Sequence, residues 1–371
     1  MRVHLVYPHG PSIGCPDAIG RNVTDYLRKW GHEVRQYTYD DYRAIKPGDD
    51  DALIGHPHTN PFTIFRRSSR RAGWRRIVAM FPFAHGLTWQ MAFEEGSAQR
   101  ADHVLAITGR HWIRTAPESI FSHWVPKLEH LDLAIDRRDF PVIKSRWGEA
   151  QKRRFVYIGN TLPPKNPEYL SQIALAMPEV EFAWIGGGKR PGEVIAGVKT
   201  LGHQNFATPA GKETVGRYDF LLTVGRSDAN PTTVLEAMAW GLIPVCTPQS
   251  GYEDYASIPN VPLDDVAGAV KVLRGLMEAP STALDEMREA NWRMLDEYFT
   301  WERFAGQVRN ALEAKGRPVM GPKGLGRRLA LAKASVQGWL SAQSPIRPRT
   351  LATHLYRSIT GRSRSEGFGA P

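Results

Sequence analysis

Short apolar runs of strand length alternate with helical segments along the first part of the chain. Two of the intervening segments, residues 20–30 and 89–100, carry apolar residues at helical spacing. The apolar runs predict strands at residues 3–7, 34–37, 52–55, 77–81 and 103–107. Strands that alternate with helices are typical of a parallel sheet in which helices cross over the faces.

The second part of the chain repeats this scheme. Its apolar runs predict five further strands, at residues 155–158, 181–185, 198–201, 220–224 and 243–246. A charged stretch, residues 144–154, is the natural linker between the two sets. The pattern therefore predicts an α/β protein with two Rossmann-like domains facing a cleft, in which ligands bind beyond the carboxyl ends of the strands.

One segment of the second part begins a helix with an unusual set of polar groups. Residues 230–233 read Asn-Pro-Thr-Thr and precede an apolar helix that Gly241 ends. Asn230 suits the N-cap of this helix, and Pro231 suits its first turn. A helix N-terminus carries about half a positive charge and binds phosphate readily. The free backbone N–H groups that would face such an anion belong to Thr232, Thr233 and Val234.

Two carboxylates flank this helix start. Glu236 lies one turn further in, where it could accept hydrogen bonds from the hydroxyls of a ribose, and Asp228 precedes the helix and could hold a second polyol. One acid, one anion site and one more acid suit a ligand built from a sugar, a diphosphate and a ribose. The alternative interpretation is an ordinary N-cap cluster followed by a surface glutamate.

The same segment resembles the signature of the retaining GT-B glycosyltransferases of family 4. That signature has an acid, seven residues, Glu-Ala-Met-Ala and then a Gly-x-Pro-Val strand. Here seven residues separate Asp228 from Glu236, EAMA occupies 236–239, and GLIPV, with two residues rather than one between Gly and Pro, occupies 241–245. The first acid of the family is usually Glu, so Asp228 departs from the pattern by one methylene.

A second segment, RFVYIGNTLPPK at residues 154–165, resembles the strand and loop that open the second domain of that family. Gly159 matches the family, and Lys165 matches the lysine that neutralises the donor diphosphate. Asn160 stands where the family usually has Arg, so a fork of fixed positive charge is missing.

Further segments resemble the family in the same order. FAWIGGG at 182–188 resembles the next strand, and TWERFAGQV at 300–308 resembles the last helix, which crosses back to the first domain. In the first domain, Gly14 resembles a loop glycine through which the backbone approaches the donor phosphate. His85 occupies a place where the family often has a histidine near the sugar.

The resemblance covers residues 1–314 and implies a division of the chain. Residues 1–145 form the acceptor-side domain, 146–298 the nucleotide-sugar domain and 299–314 the crossover helix, and a tail follows at 315–371. The implied activity is transfer of a sugar from a nucleotide-sugar donor to a glycan or a lipid-linked acceptor, with retention of anomeric configuration. The implied enzyme needs no metal or cofactor.

The resemblance also implies roles for single residues. Catalysis is assigned to Asp228, His85 and Lys165. Donor binding is assigned to Glu236, Asn230, Thr232, Thr233, Val234, Gly14, Gly159 and Asn160. Two other functions stay open: an inactive nucleotide-binding scaffold, for which the residues at 160 and 228 argue, and a sugar-nucleotide epimerase of the same architecture. His56 and His58 could suggest a metal, but spacing fixes no third ligand, and satisfied loop histidines are the simpler interpretation.

The positive charge is concentrated at the end of the chain. The protein has 48 Lys and Arg and 38 Asp and Glu; residues 315–371 contain eleven of the bases and one acid, Glu366, so the rest is formally neutral. Residues 325–340 and 351–359 mix apolar and basic positions at helical spacing, which predicts contact with an anionic membrane surface. A disordered tail and a helix packed on the body are the alternatives. Nucleic acid is a poorer explanation, because no nucleic-acid-reading fold is recognisable.

A second basic cluster lies in the first domain. We expect most of its arginines on one side of a helix, as a membrane-facing patch, and the alternative is a solvated face with Trp74 in the core. The cluster consists of Arg66, Arg67, Arg70, Arg71, Arg75 and Arg76.

The cysteines and the hydropathy of the chain indicate in which cellular compartment the protein is expected. Cys15 and Cys246 fall in different predicted domains, so we expect no disulfide and a reducing compartment. No apolar run reaches about 18 residues, which predicts no spanning helix, and the first residues form a strand unlike a signal peptide. The cytoplasm is therefore expected, either free in solution or peripherally on the inner face of the membrane.

Overall fold

Two parallel β-sheets organise the protein. The computed structural model describes residues 1–7, 14–37, 43–57, 59–188, 192–316, 329–331 and 333–334. The first sheet has six strands in the order β2-β1-β3-β4-β5-β6, and the second has five in the order β11-β10-β7-β8-β9. Their bounds are β1 Arg2–Val6, β2 Glu33–Tyr37, β3 Ala52–Gly55, β4 Arg76–Pro82, β5 His103–Ile107, β6 Leu128–Leu131, β7 Phe155–Ile158, β8 Phe182–Ile185, β9 Lys199–Gly202, β10 Phe220–Thr223 and β11 Ile243–Cys246.

Helices connect the strands and cover the sheets. They are α1 Cys15–Lys29, α2 Thr59–Ser68, α3 Thr88–Arg100, α4 Arg110–Thr115, α5 Pro167–Ala176, α6 Pro209–Gly216, α7 Thr232–Trp240, α8 Val266–Glu278, α9 Ser281–Glu297 and α10 Trp301–Glu313. All ten predicted strands are present, with ends that differ by one residue at most. α1 begins five residues earlier than predicted, since Pro16 and Asp17 suit its first turn.

The core explains why the strands carry so little polar character. Every residue of β3, β5, β7, β10 and β11 is buried, as expected for parallel strands covered on both faces. One apolar cluster runs from the first sheet into the second and includes Val3, Val156 and Phe304. This cluster joins the two halves of the molecule.

Helix α10 crosses back over the molecule. Thr300 caps α10 by accepting a hydrogen bond from the Arg303 amide, and the helix then packs against α1 and β4 of the first half. Phe304 and Val308 are fully buried there. The chain therefore follows the second domain with a helix that lies on the first, as the resemblance predicted.

The basic cluster of the first domain is not one helical face. α2 ends at Ser68, the next arginines lie in a turn, and Arg76 begins β4. Arg71 donates to the carbonyl of Ile45, and Arg76 lies 3.7 Å from Asp102. The prediction of a single helical side is therefore wrong, because three different elements carry these side chains.

The tail is described only in part. Leu331 is buried in the apolar cluster of the first sheet, beside residues such as Leu53 and Phe81. Most of the two predicted amphipathic segments, 325–340 and 351–359, lies outside the described residues, as does His58. Within the described part of the chain, no helix is long and apolar enough to cross a membrane. Cys15 and Cys246 are both free thiols.

Candidate functional site

The strand order of each sheet marks where a ligand would bind. The order in which strands are added to the sheet reverses between β1 and β3 in the first sheet and between β10 and β7 in the second. In open parallel sheets, ligands bind beyond the carboxyl ends of the strands at such reversal points. Here the residues that follow the reversal strands of both sheets line one common cleft.

This cleft has a volume of about 380 Å³. Its first wall comes from the carboxyl ends of the strands of the first sheet and the start of α1: Tyr7, Cys15, Pro16, Ile19, His56, Pro82, Ile107 and Leu133. Its second wall holds the N-terminus of α7 and a neighbouring loop: Lys165, Ala229, Asn230, Pro231, Thr232, Thr233 and Glu236. The N-termini of α1 and α7 thus both reach the cleft, which favours an anionic ligand.

The start of α7 differs from the prediction in one respect. Pro231 is the N-cap, and Asn230 adopts a left-handed conformation with φ of 51°. The Asn230 side chain accepts a hydrogen bond from the Leu133 amide at 2.8 Å and contacts Asp132 at 3.4 Å. The N-cap assignment is therefore wrong, because Asn230 uses its amide group to join the two halves beside the cleft.

The anion-facing amides at the helix tip are fewer than predicted. Thr232 and Thr233 line the cleft, as expected. The Val234 amide instead donates to the carbonyl of Pro231 at 3.2 Å, and the Val234 side chain is fully buried. Val234 thus supports the helix, and two threonines remain at its tip.

Lys165 and Asp228 meet at the edge of this cleft. Lys165 ends a short 3-10 turn, Pro163–Lys165, and its Nζ lies 2.5 Å from Asp228 Oδ2. Both side chains are partly buried, with 24% and 13% of their surface exposed. An ammonium held this way has a mobile carbon stem and an anionic partner, so an incoming diphosphate can compete with Asp228 for it.

Glu236 has the most perturbed carboxyl of the cleft. Burial raises its pKa from 4.5 to about 7. The carboxyl faces the cleft, and no described residue donates a hydrogen bond to it. Cys15 lies opposite, where the Thr232 hydroxyl contacts its thiol and where burial raises the thiol pKa. A carboxyl that faces a cleft and has no donor among the described residues can accept hydrogen bonds from a ligand with hydroxyl groups.

A second cavity of about 710 Å³ lies at the carboxyl ends of β7, β8 and β9. It is lined by Ile158, Gly159, Asn160, Ile185, Gly186, Gly187, His203, Gln204, Asn205, Phe206 and Ala207. The Oδ1 of Asn160 accepts a hydrogen bond from the backbone N–H of Leu162, in its own loop, at 3.0 Å. Gly159 has φ of 156° and its carbonyl accepts the Trp184 indole N–H at 2.8 Å, so this glycine fixes the loop.

His85 follows β4 in the first domain and is not among the residues that line either cavity. Its Nε2 is 2.7 Å from the Thr115 hydroxyl, and its ring stands edge-on to Trp112 with centroids 4.8 Å apart. Burial, followed by the nearby His111, lowers the His85 pKa to about 4, so the ring is neutral. The next residue, Gly86, packs so closely on Ser227 that a Cβ there would lie 2.5 Å from its hydroxyl. His85 is therefore followed in the chain by Gly86, which contacts Ser227, the residue before Asp228.

Several contacts hold the two walls together beside His85. A Cβ on Gly109 would lie 1.9 Å from the Cα of Gly251, so two backbones meet where only glycine fits. The Trp112 indole donates to the Gln249 carbonyl at 2.9 Å. Arg114 reaches Glu253 at 2.6 Å and also binds Asp254. The loop that follows β11 therefore closes the second domain onto α4.

Sequence reasoning missed most of the first wall. Tyr7 and Ile107 end predicted strands and read as core residues, but their position at the carboxyl ends of those strands brings them to the cleft. The loop His203 to Ala207 was missed as well, although it follows a correctly predicted strand at its carboxyl end. The rule that ligands bind at such ends was the available signal. Gly14 has φ of 63° and caps α1, but lines neither cavity itself.

Several solved structures share the fold of this chain. The chain superimposes on sucrose-phosphate synthase from Thermosynechococcus elongatus with a TM-score of 0.61, at 12% identity, over 90% of this chain and all of that one. It is similar to the apo form of the lipopolysaccharide outer core galactosyltransferase WaaB, with a TM-score of 0.60 and 16% identity over 84% and 99% of the two chains. Anabaena Alr3699/HepE, in complex with UDP and glucose, gives 0.59 and 12% over 84% and 99%.

The chain has the GT-B fold. A scan against protein-family models gave no match, and a search of curated proteins found no relative by sequence. Identities this low establish the architecture, while the chemistry has to come from the residues of the cleft.

Proposed function

We propose that this protein is a glycosyltransferase that moves a sugar from a nucleotide-sugar donor to a glycan or a lipid-linked acceptor. The single observation that supports this most strongly is the convergence of Lys165, Glu236 and the tip of α7 on one cleft between two Rossmann-like domains, with Asp228 bound to Lys165. HepE, a structural neighbour, was solved with UDP and glucose, which agrees with a donor of this class.

Each group of the cleft has a part in this reaction. The amides of Thr232 and Thr233 and the Lys165 ammonium would stabilise the diphosphate as it leaves with negative charge. Glu236 would hold the ribose, and the larger cavity beside Gly159 and Asn160 has room for the base. Asp228, once Lys165 turns to the diphosphate, would position the transferred sugar.

We further propose that the reaction retains anomeric configuration, as in family 4. The acceptor hydroxyl attacks the anomeric carbon on the face from which the phosphate departs, and no side chain acts as a covalent nucleophile. The expectation that no metal or cofactor takes part stays a prediction, and turnover measured in the presence of EDTA tests it. NMR of the first-formed product gives its anomeric configuration and decides between retention and inversion.

A thermal-shift screen with UDP-, GDP-, ADP- and dTDP-sugars is the direct test of the donor. Ligands that bind only the folded state raise its melting temperature, so one base should stand out. With that donor, Glu236→Ala should lose both affinity and turnover. Unchanged affinity and unchanged turnover in this variant would reject the site.

An inactive nucleotide-binding scaffold is the second candidate. The absence of an arginine at Asn160, whose amide oxygen is used within its own loop, favours it. Slow hydrolysis of, or transfer from, any nucleotide sugar would decide for the enzyme. The epimerase alternative predicts a rearranged sugar without an acceptor.

The place of action is also a proposal. The net charge of the tail, eleven bases against one acid, would attract anionic lipid, and Arg70 and Arg75, the exposed members of the basic cluster of the first domain, add to it. Burial of Leu331 against the first sheet agrees instead with a tail that is partly packed on the body. Liposome co-sedimentation of the full chain and of a 1–314 truncation separates these: equal binding removes the tail from the proposal.

A further inference from the structure

Asp132 is a buried carboxylate at the junction of the two domains. It follows β6 directly and is 1% exposed. Two hydroxyls of the second domain donate to its Oδ2, that of Tyr298 at 2.7 Å and that of Tyr255 at 3.0 Å. Its Oδ1 lies 3.1 Å from His130 Nε2 and 3.4 Å from Asn230 Nδ2. Asp132 therefore contacts the loop after β11, the end of α9 and the segment before α7.

The other contacts of these partners fix the direction of the hydrogen bonds. The Tyr298 hydroxyl accepts from Arg303 Nη2 at 2.7 Å, so its own proton goes to Asp132. The Asn230 Oδ1 accepts from the Leu133 backbone N–H at 2.8 Å, so its NH₂ group faces Asp132. Both oxygens of residue 132 thus face donors, and only a carboxylate accepts on both sides. An asparagine there would point its own NH₂ at a donor in either orientation of its amide.

Asn230 links this carboxylate to the cleft. Its backbone is left-handed, with φ of 51°, and it lies directly before the N-cap of α7. A left-handed backbone is unfavourable for a residue with a Cβ, so contacts from outside the segment have to hold it. Asp132 and the Leu133 backbone N–H supply such contacts to the side chain. The direction in which α7 begins therefore depends on groups of the first domain.

We propose that Asp132 is a positioning residue that aims the tip of α7 by anchoring Asn230 and the two tyrosines. This rests on the proposed function, in which the tip holds the donor diphosphate. Asp132 is not among the residues that line the cleft, so it acts through Asn230, which is. Amides stabilise the charge of a leaving group only when they are aimed at it, so loss of the anchor lowers kcat more than donor affinity.

Asp219 is a matched control. It is also 1% exposed, and its two oxygens accept the backbone N–H groups of Gly148 at 2.7 Å and Arg154 at 3.0 Å. It lies just before β10, at the amino end of the sheet, whereas the cleft lies at the carboxyl ends. Asp219→Asn thus changes a buried carboxylate with comparable partners far from the tip of α7.

Hydrogen–deuterium exchange of the full chain tests the anchor without any substrate. Asp132→Asn should speed exchange in peptides covering residues 228–236 at least about fivefold, and Asp219→Asn should instead speed it at 148–154. Tyr298→Phe removes one donor, keeps the carboxylate and should speed exchange at 228–236 by a smaller factor. Unchanged exchange at 228–236 in Asp132→Asn, or in Tyr298→Phe where Asp132→Asn does not fold, overturns the proposal. Equal acceleration there by Asp219→Asn also overturns it, because this would be a general loss of stability.

Kinetics with the donor found by thermal shift test the effect on transfer. Asp132→Asn should lower kcat about tenfold and change the donor KM by less than about threefold, and Asp219→Asn should stay within about twofold in both. Asn230→Gly removes the link and tolerates the left-handed backbone, so in that background Asp132→Asn should lower kcat by less than about threefold. An unchanged kcat in Asp132→Asn, or the full loss in both backgrounds, refutes the positioning role. Absence of turnover by the wild type with every donor refutes the proposed function instead, and the exchange rates still test the anchor.

Discussion

The carboxyl of Glu236, to which none of the described residues donates a hydrogen bond, should make the folded protein less stable as pH rises. Burial raises its pKa to about 7 in the folded chain, against 4.5 for an ordinary glutamate. Below pH 4.5 the carboxyl is protonated in both the folded and the unfolded chain, so it has no effect on their balance. Between pH 4.5 and 7 the unfolded chain releases this proton first, and unfolding is increasingly favoured.

The size of this effect follows from the two pKa values. Each tenfold difference in proton affinity is worth about 1.4 kcal/mol, so the interval from 4.5 to about 7 corresponds to about 3 kcal/mol. This is an upper limit, because the side chain is only part-buried and the cleft opens to water. The full penalty is present above pH 7 and absent below pH 4.5.

Glu236→Gln removes the ionisation and keeps the shape. We expect this variant to be more stable than the wild type by up to about 3 kcal/mol at pH 8 and about equal at pH 4.5. The measurement is the denaturant midpoint at both pH values, followed by tryptophan fluorescence. The same variant should bind the nucleotide sugar at least about tenfold more weakly, since a charged acceptor makes stronger hydrogen bonds to ribose.

The control is Glu297→Gln, which changes an exposed carboxylate at the end of α9. It should leave the pH dependence as in the wild type. The reasoning is refuted if Glu236→Gln shifts stability equally at both pH values, or if it is the less stable protein at pH 8. Gained stability with lost binding would identify Glu236 as a residue kept for function at the expense of the fold.

Three further predictions concern the closure of the cleft and its cation. Gly109→Ala should lower kcat/KM at least about tenfold, because the added methyl separates the two walls, whereas Gly275→Ala, with open space around it, should not. Arg114→Ala should raise the radius of gyration measured by small-angle scattering without donor, yet change the free energy of unfolding by less than about 1 kcal/mol, since the Arg114 side chain is 54% exposed. Lys165→Met should weaken nucleoside diphosphate binding about tenfold in calorimetry, and exposed Lys271→Met should not.

The parts of the fold that depend on local pattern could be predicted from the sequence. Strand positions followed from short apolar runs, because parallel strands are buried on both faces and contain little else. The start of α7 followed from Pro231 and the threonines after it, and Gly241 marked its end with φ of 91°. Each of these signals lies within a few residues of the feature it predicts.

The parts of the fold and of the site that depend on contacts between distant residues could not be predicted from the sequence. Asn230 looks like an N-cap in sequence, but its amide meets the Leu133 backbone, 97 residues away, and this contact overrides the local preference. The arginines from residue 66 to 76 suggest one helix, yet Arg71 and Arg76 have partners at Ile45 and Asp102 that fix a turn and a strand. The spacing of residues within a segment does not predict partners from distant parts of the chain.

Closure and donor binding are joined through one loop, and this is why a change at Gly109 should reach the helix tip. The loop after β11 contacts the first domain through Gly251 and through the Gln249 carbonyl. The same loop supports the start of α7. The Tyr252 hydroxyl donates a hydrogen bond to the Pro231 carbonyl at 3.0 Å, and the backbone N–H of Asn230 donates one to the Ser250 carbonyl at 3.2 Å. A shift of the first wall should therefore move the carbonyl of Pro231 at the start of α7. The backbone amides of Thr232 and Thr233, which would hold the diphosphate, should move with it.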